Sequence, residues 1–444
     1  MKKFLLGTVA LIAFGGVAQA ADLPARTYVK APPVPVFDWT GFYVGAYAGV
    51  GASDSGRMVD ATDPTNGRVE QVGYGFTGGG TVGYNWQLGD ALFGTKWVVG
   101  LEGDFGYLGT SRRGVDFDDT GLAFNTKTSW IATARARVGV SSGPNLTYVT
   151  GGFAAINTRD INDNPFTGVS ASSSKTLGGY VIGTGTETML GGGWSAKAES
   201  LYIDTGAGDA VANPSNGFIM QADRHRYQVQ RFGLNYNFGM KTGVMPQVNW
   251  SGFYGGINGG TAVASTGGDG FDGSNPANIN VSDNSFSVSG VAGYNWMFSP
   301  RFVAGVEGDI GYLGFDHSNQ NFNNSAVTGS KTSWIATARA RLGYSTGPAL
   351  LYVTGGGAWV NVTDSFDWGT PTSSKKTLSG WTLGGGIETT LWGNWSTKSE
   401  YLFVDAGKGG VLTDFGTIQL DHKYHLFRSA LVYRFNSDPI VAKY

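Results

Sequence analysis

Ser129-Trp-Ile-Ala-Thr-Ala-Arg-Ala-Arg137 occurs a second time, unchanged, as Ser333 to Arg341. Read with the two-residue period of a strand, Trp130, Ala132, Ala134, Ala136 and Val138 fall on one face, and Thr133, Arg135 and Arg137 on the other. An apolar face carrying an aromatic suits hydrocarbon, and a charged face opposite it then has to look into an enclosed lumen. Neighbouring stretches alternate in the same way. Leu101, Phe105 and Tyr107 lie opposite Glu102 and Asp104, and Phe232, Leu234, Tyr236 and Phe238 lie opposite Arg231 and Asn235.

The repetition extends over the whole chain. Trp39-Thr-Gly-Phe-Tyr43 returns as Trp250-Ser-Gly-Phe-Tyr254, and Gly100-Leu-Glu-Gly-Asp-Phe-Gly-Tyr-Leu-Gly109 returns as Gly305-Val-Glu-Gly-Asp-Ile-Gly-Tyr-Leu-Gly314. Lys197-Ala-Glu199 matches Lys398-Ser-Glu400, and His225-Arg-Tyr227 matches His422-Lys-Tyr424. A unit of about 200 residues is a whole domain, present twice, and not a solenoid repeat.

Composition agrees with a membrane barrel. There are 72 glycines, 13% aromatic and 14% charged residues, and no cysteine. The start, Lys2-Lys3 followed by an apolar run from Phe4 to Val17 and by Ala18-Gln19-Ala20, has the three regions of an export signal. Cleavage after Ala20 exposes Ala21-Asp22 and leaves 29 basic against 33 acidic residues, a net charge of −4. That balance, with no basic cluster, speaks against nucleic acid as a partner. No later segment has the 18 consecutive apolar residues of a membrane helix, so closed strands are the remaining way across.

The expected organisation is a signal peptide at 1–20, a proline-rich periplasmic arm at 21–37, a first barrel at 38–239, a linker at 240–249, and a second barrel with a C-terminal tail at 250–444. Eight strands are expected per copy, centred in the first on 39–51, 74–88, 96–109, 127–140, 146–158, 176–190, 194–204 and 226–238. Each is about ten residues or somewhat more, which is what a tilted spanning strand needs. Short turns at Ser141-Ser-Gly-Pro144 and Gly191-Gly-Gly193 mark the periplasmic side; the polar stretches 52–70, 110–126, 159–175 and 205–224 are expected to be long extracellular loops. The fold class is therefore all-β: two tandem eight-stranded antiparallel transmembrane barrels, with a single sixteen-stranded barrel as the alternative. The tandem reading rests on opening and closing aromatic strands in each copy, a neutral set of inward charges in each, and a joint at 239–249 longer than a tight turn.

Those inward sets are the candidate site. Glu102, Asp104, Glu187 and Glu199 face Arg135, Arg137, Lys197 and Arg231 in the first copy; Glu307, Asp309, Glu388 and Glu400 face Arg339, Arg341, Lys398 and Arg428 in the second, with Arg434 as an extra base. An eight-stranded barrel is just wide enough for side chains to fill. Buried charges survive there only when paired, so the sets read as salt-bridged plugs and not as ion pathways. The four histidines, His225, His317, His422 and His425, form no metal-ligand pattern; His225 and His422 open the eighth strand of each copy, where a polar aromatic suits the membrane surface. The expectation is a non-enzyme without cofactor or metal, with a lipid-modifying enzyme as a remote reading.

The processed Ala21-Asp22-Leu23-Pro24, the W-[TS]-G-F-Y openings at Trp39 and Trp250, the W-x-A-T-x-R-x-R strands, W-S-x-K-x-E at Trp194 and Trp395, and the ending Tyr433-Arg-Phe435 with Pro439-Ile-Val-Ala-Lys-Tyr444 together resemble the small outer-membrane β-barrel proteins of alphaproteobacteria. That group comprises surface antigens similar to the OmpA membrane domain, some described as porins, and its members typically carry one such unit where this chain carries two. The resemblance implies an eight-stranded barrel with a structural, envelope-stabilising and surface-exposed role, with a diffusion porin for small hydrophilic solutes as the alternative. Implied partners are outer-membrane lipids, lipopolysaccharide, the barrel assembly machinery and peptidoglycan. Some related barrels are joined covalently to peptidoglycan through a processed Ala-Asp terminus; here that implies Ala21, on an arm of 17 residues able to reach about 55–60 Å.

Overall fold

The computed structural model describes residues 37–60, 69–115, 123–164, 167–212, 219–222, 224–239, 241, 243–271, 276–320, 327–367, 369–413 and 416–435. The export signal, Ala21, most of the proline-rich arm and the tail at 436–444 lie outside the described residues.

The first ring is built from β1 (Gly41–Asp60), β2 (Val69–Asp90), β3 (Lys96–Leu108), β4 (Ala123–Ser142), β5 (Asn145–Asn164), β6 (Val169–Gly191), β7 (Trp194–Asp204) and β8 (Arg226–Asn237). The second consists of β9 (Gly252–Phe271), β10 (Pro276–Met297), β11 (Phe302–Gln320), β12 (Val327–Ser345), β13 (Ala349–Asp367), β14 (Thr372–Trp392), β15 (Trp395–Thr413) and β16 (Gly416–Arg434). All neighbours are antiparallel. β1 pairs with both β2 and β8, placing Gly49 opposite Arg231, and β9 pairs with both β10 and β16, placing Gly260 opposite Arg428. Each copy thus closes on itself, and the sixteen-stranded alternative is excluded: the first and last strands of each copy satisfy one another's backbone groups and leave no edge to share.

The strands are about twice as long as expected. Those of the second ring run to 19–22 residues, about 65 Å along the strand, against an apolar band about 25 Å tall. Much of 52–70, 110–126 and 159–175 is therefore strand and not loop, and in the region 205–224 short strands at Val211–Ala212 and Ile219–Ala222 continue the sheet. The reason lies in the outward face. It is marked by two aromatic girdles, Trp86, Trp97, Trp194 and Phe238 on the periplasmic side and Tyr74, Phe76, Tyr107 and Tyr180 on the other, all exposed. Beyond the second girdle the outward positions carry Lys127 and Arg159, opposite each other in register, so the apolar alternation disappears while the backbone pairing continues.

The two rings lie against each other within one compact unit, along outward-facing small and hydroxyl side chains. Thr186 Oγ1 meets Thr389 Oγ1 at 2.7 Å, Thr147 meets Thr397 at 2.9 Å, Thr184 meets Ser429 at 2.9 Å, and Asn145 Nδ2 donates to the Thr390 carbonyl at 2.9 Å. Ala196 and Ala198 pack with Ala349 and Ile387, and nearer the extracellular end the Tyr74 ring contacts His425 at 4.7 Å. Small residues let the two walls approach, and hydroxyls supply hydrogen bonds between segments where hydrocarbon offers none.

Amide hydrogen exchange checks the strand extensions. Residues 123–128 and 158–164 are expected to exchange as slowly as the girdle-level strands; exchange on the timescale of an open loop would contradict the pairing of Ala123 with Asp163 and Lys127 with Arg159.

Candidate functional site

Strand tilt brings inward residues from β3, β4, β6, β7 and β8 to one level of the first lumen. Glu102 receives Lys197 Nζ at 2.8 Å and pairs closely with Arg135. Asp104 lies 3.0 Å from Arg135 and 2.9 Å from Arg231; Glu199 lies 2.9 Å from Arg135 and 2.8 Å from Arg231. Arg137 pairs with Glu187 at 3.2 Å. The second lumen repeats the pattern. Glu307 holds Arg339 and Lys398 (3.0 Å), Asp309 holds Arg339 (2.8 Å) and Arg428 (3.1 Å), Glu400 holds Arg428 (2.7 Å) and Arg339 (3.2 Å), and Glu388 holds Arg341 (2.5 Å). None of the sixteen is more than 6% exposed. The structure brings each set of eight into one connected network; Arg434 stands apart from the second, its guanidinium over the Trp250 ring at 5.0 Å.

Four tyrosines that sequence reasoning passed over complete these networks. The hydroxyls of Tyr43 and Tyr148 donate to Glu102 and Glu199 (2.7 and 3.1 Å), and those of Tyr254 and Tyr352 to Glu307 and Glu400 (2.8 and 2.9 Å). Their rings also bear on arginine: Arg137 lies 4.7 Å from the Tyr43 ring centre, and Arg341 lies 3.8 Å from that of Tyr352. Glycines make the space. A Cβ at Gly83 would fall 2.2 Å from the Tyr43 hydroxyl, and one at Gly293 would fall 2.4 Å from that of Tyr254. The signal was present in W-[TS]-G-F-Y, where Phe and Tyr on adjacent positions must face opposite ways.

The lumen is stacked in layers, and its filling is not uniformly polar as the charge pattern suggested. At the periplasmic mouth Trp39 donates its indole N–H to the Gly143 carbonyl (3.3 Å) and packs with Val98, Leu146 and Met189; Trp250 does the same with Gly347 (3.1 Å), Val303 and Leu350. Extracellular to the charges comes an apolar layer: Leu108, Ile131, Ile156, Val181, Leu201 and Ile203 in the first ring, with Leu313, Phe315, Ile335, Val360, Leu402 and Val404 among its counterparts in the second. These inward apolar residues keep the two-residue period of the charges below them: Leu108 is in phase with Glu102 and Asp104, Ile131 with Thr133 and Arg135, and Leu201 and Ile203 with Lys197 and Glu199.

Above that layer the histidines are placed otherwise than expected. His225 and His422 are fully buried inside the lumens and do not lie at the membrane surface. His422 Nε2 is 3.2 Å from Asp364 Oδ2, which also accepts the Gly410 N–H at 2.8 Å, while the other carboxylate oxygen accepts Ser330 at 3.0 Å. The equivalent His225 lies 3.7 Å from Asp160, which accepts Thr126 at 2.7 Å. His425, three residues beyond His422, points outward and its Nδ1 contacts the Tyr401 hydroxyl at 2.7 Å. Among the described residues no group of three or more histidine, aspartate and glutamate side chains is placed to hold a metal ion.

Closed antiparallel rings with aromatic girdles and filled interiors define outer-membrane β-barrels of the small, plugged kind. The chain belongs to the family described as outer membrane protein beta-barrel domain, whose model matches residues 7–238 and again 239–435. It resides in the outer membrane of a Gram-negative cell. It is similar to the 31 kDa outer-membrane immunogenic protein of Brucella melitensis biotype 1, 32% identical over 252 residues, covering 54% of this chain and 100% of that one. It is likewise similar to the 22 kDa outer membrane protein of Rhizobium leguminosarum bv. viciae, 31% identical over 175 residues, covering 39% of this chain and 68% of the other. Among solved structures, Neisserial surface protein A aligns over 42% of this chain and 98% of its own, at 18% identity and a TM-score of 0.25.

Removing one partner strands the others in a dry site, at a cost of about 3–5 kcal/mol. Arg231→Ala is expected to destabilise the first barrel by that amount and leave the second unchanged, with Arg428→Ala doing the reverse. Urea unfolding in lipid bilayers, followed by proteolytic fragments of each half, reads the two separately; equal losses in both halves would mean that the networks are coupled.

Proposed function

We propose that this protein is a structural, surface-exposed component of the outer membrane, in which two plugged barrels act as a paired anchor that supports envelope integrity. The observation that supports this best is the filled lumen. A tryptophan, an eight-member charge network, an apolar layer and a His–Asp pair follow one another along each barrel, and only the second of these would be compatible with passing ions. The strands continue past the extracellular girdle with charged outward positions and exposed pairs such as Lys175–Asp209 (2.7 Å) and Lys331–Asp316 (2.5 Å), a surface suited to water. The Brucella relatives are named immunogenic outer-membrane proteins, and the same extracellular ends are the proposed antigenic surface here.

Folded protein inserted in a planar bilayer is expected to be silent or to show rare, small openings. Large, uniform and stable conductance steps would replace this reading with a diffusion porin.

The proposal includes attachment to peptidoglycan through Ala21. What supports it is chemistry and reach: a free amine on a proline-rich spacer able to extend about 55–60 Å. Envelopes digested with muramidase are expected to yield an Ala21 peptide carrying a muropeptide mass, lost on Ala21→Pro. Recovery of unmodified Ala21 alone would rule the tether out and leave the anchor reading standing.

A further inference from the structure

Beside the line of hydroxyl contacts the two walls diverge and leave a cleft of about 890 Å³. Its outward-facing lining is apolar: Ala46, Phe232 and Leu234 from the first barrel, Phe302, Leu351 and Val353 from the second. All of these lie near periplasmic strand ends. Phe302 opens β11, Leu351 is the third residue of β13, and Phe232 and Leu234 fall within the last six residues of β8. The cleft therefore opens to the periplasmic leaflet and not to the extracellular one.

At its periplasmic rim stands a cation. Tyr344, which lines the cleft, accepts a hydrogen bond from Arg301 Nη1 at 2.8 Å, and its ring packs on Phe302 at 5.7 Å. Arg301 is exposed in the turn between β10 and β11, and among the described residues no carboxylate pairs with it. Tyr344 occupies one donor; the remaining N–H groups of the guanidinium fork are free to face a phosphate, which they match in geometry. An apolar slot at the depth of the acyl chains, with an arginine at the depth of the headgroups, has the two-part chemistry of one lipid molecule.

We propose that this cleft is a binding site for a phospholipid of the periplasmic leaflet, with an acyl chain between the barrels and its phosphodiester on Arg301. The site exists only because the barrel is duplicated, since each barrel contributes one wall. A chain held there fills a gap that the rigid strands cannot close, so the lipid is part of the pairing of the two halves.

The test uses the full mature chain, delipidated, refolded in a mild detergent and titrated with phosphatidylglycerol, with bound lipid counted by native mass spectrometry. Heat-modifiable gel mobility reports that each variant is folded. Wild type is expected to hold one phospholipid per chain. Arg301→Gln should lower its occupancy at least fivefold, and Ala46→Trp or Val353→Trp, which fill the slot from opposite walls, should lower it comparably. Absence of bound lipid in wild type would overturn the proposal, as would loss in Arg301→Gln with full retention in both filling variants, which would reduce binding to surface charge. Preferential retention of lipid A over phosphatidylglycerol would overturn the assignment to the periplasmic leaflet.

Discussion

Eight ionised side chains removed from water in a tube of eight strands leave the chain little freedom. Each carboxylate has to meet a guanidinium or ammonium at hydrogen-bond distance, because an unpaired charge in a low-dielectric interior costs several kcal/mol. That requirement sets the register of the strands: Glu102 reaches Arg135 because β3 and β4 place them directly opposite, and Glu199 reaches Arg231 because β7 and β8 do the same. It also sets the glycine pattern, since the tyrosines that supply the remaining hydrogen bonds lie flat over Gly83 and Gly293. A slip of one residue would turn every charge toward hydrocarbon.

The same constraint shapes function. On the proposed reading the lumen is filled to satisfy buried charge, with the apolar layer and the tryptophan at the mouth packed on either side of it. The proposed role therefore lies on the outside of the barrel: holding the membrane, presenting its extended strands to the exterior, and contacting its twin. Duplication adds the last of these. Thr184, Thr186 and Gln230 would be unfavourable against lipid, yet they become contacts once a second wall supplies Ser429, Thr389 and Ser399.

Much of this was legible in the chain. The face assignment of Trp130 to Val138, the opposed Glu102 and Arg135, and the short turns at Pro144 and Gly193 follow from two-residue periodicity and turn chemistry, both local. The residues that escaped notice did so for physical reasons. Tyr43 and Tyr254 were hidden among lipid-facing aromatics, because an aromatic serves equally well as a girdle residue or as a buried hydrogen-bond donor. Thr186 and Gln230 stood on outward positions as departures from apolarity, and that departure was the available sign of a partner wall. The strand extensions lacked a continuous outward apolar face, because outside the bilayer the outward side chains meet water, while inward residues such as Val411, Ile418 and Leu420 stay buried.

Periodicity, repeat length and charge balance determined by themselves that the chain forms antiparallel spanning strands, that the unit occurs twice, and which charged residues turn inward. These are properties of single strands and of composition, and a two-residue period carries them without reference to any neighbour. Only the tertiary structure decided that each copy closes on itself, that His225 and His422 are buried against Asp160 and Asp364, and that the two walls meet along hydroxyls with an apolar cleft beside them. Those outcomes depend on tilt, bulges and closure, which bring together residues distant in the chain, and no local pattern encodes that geometry.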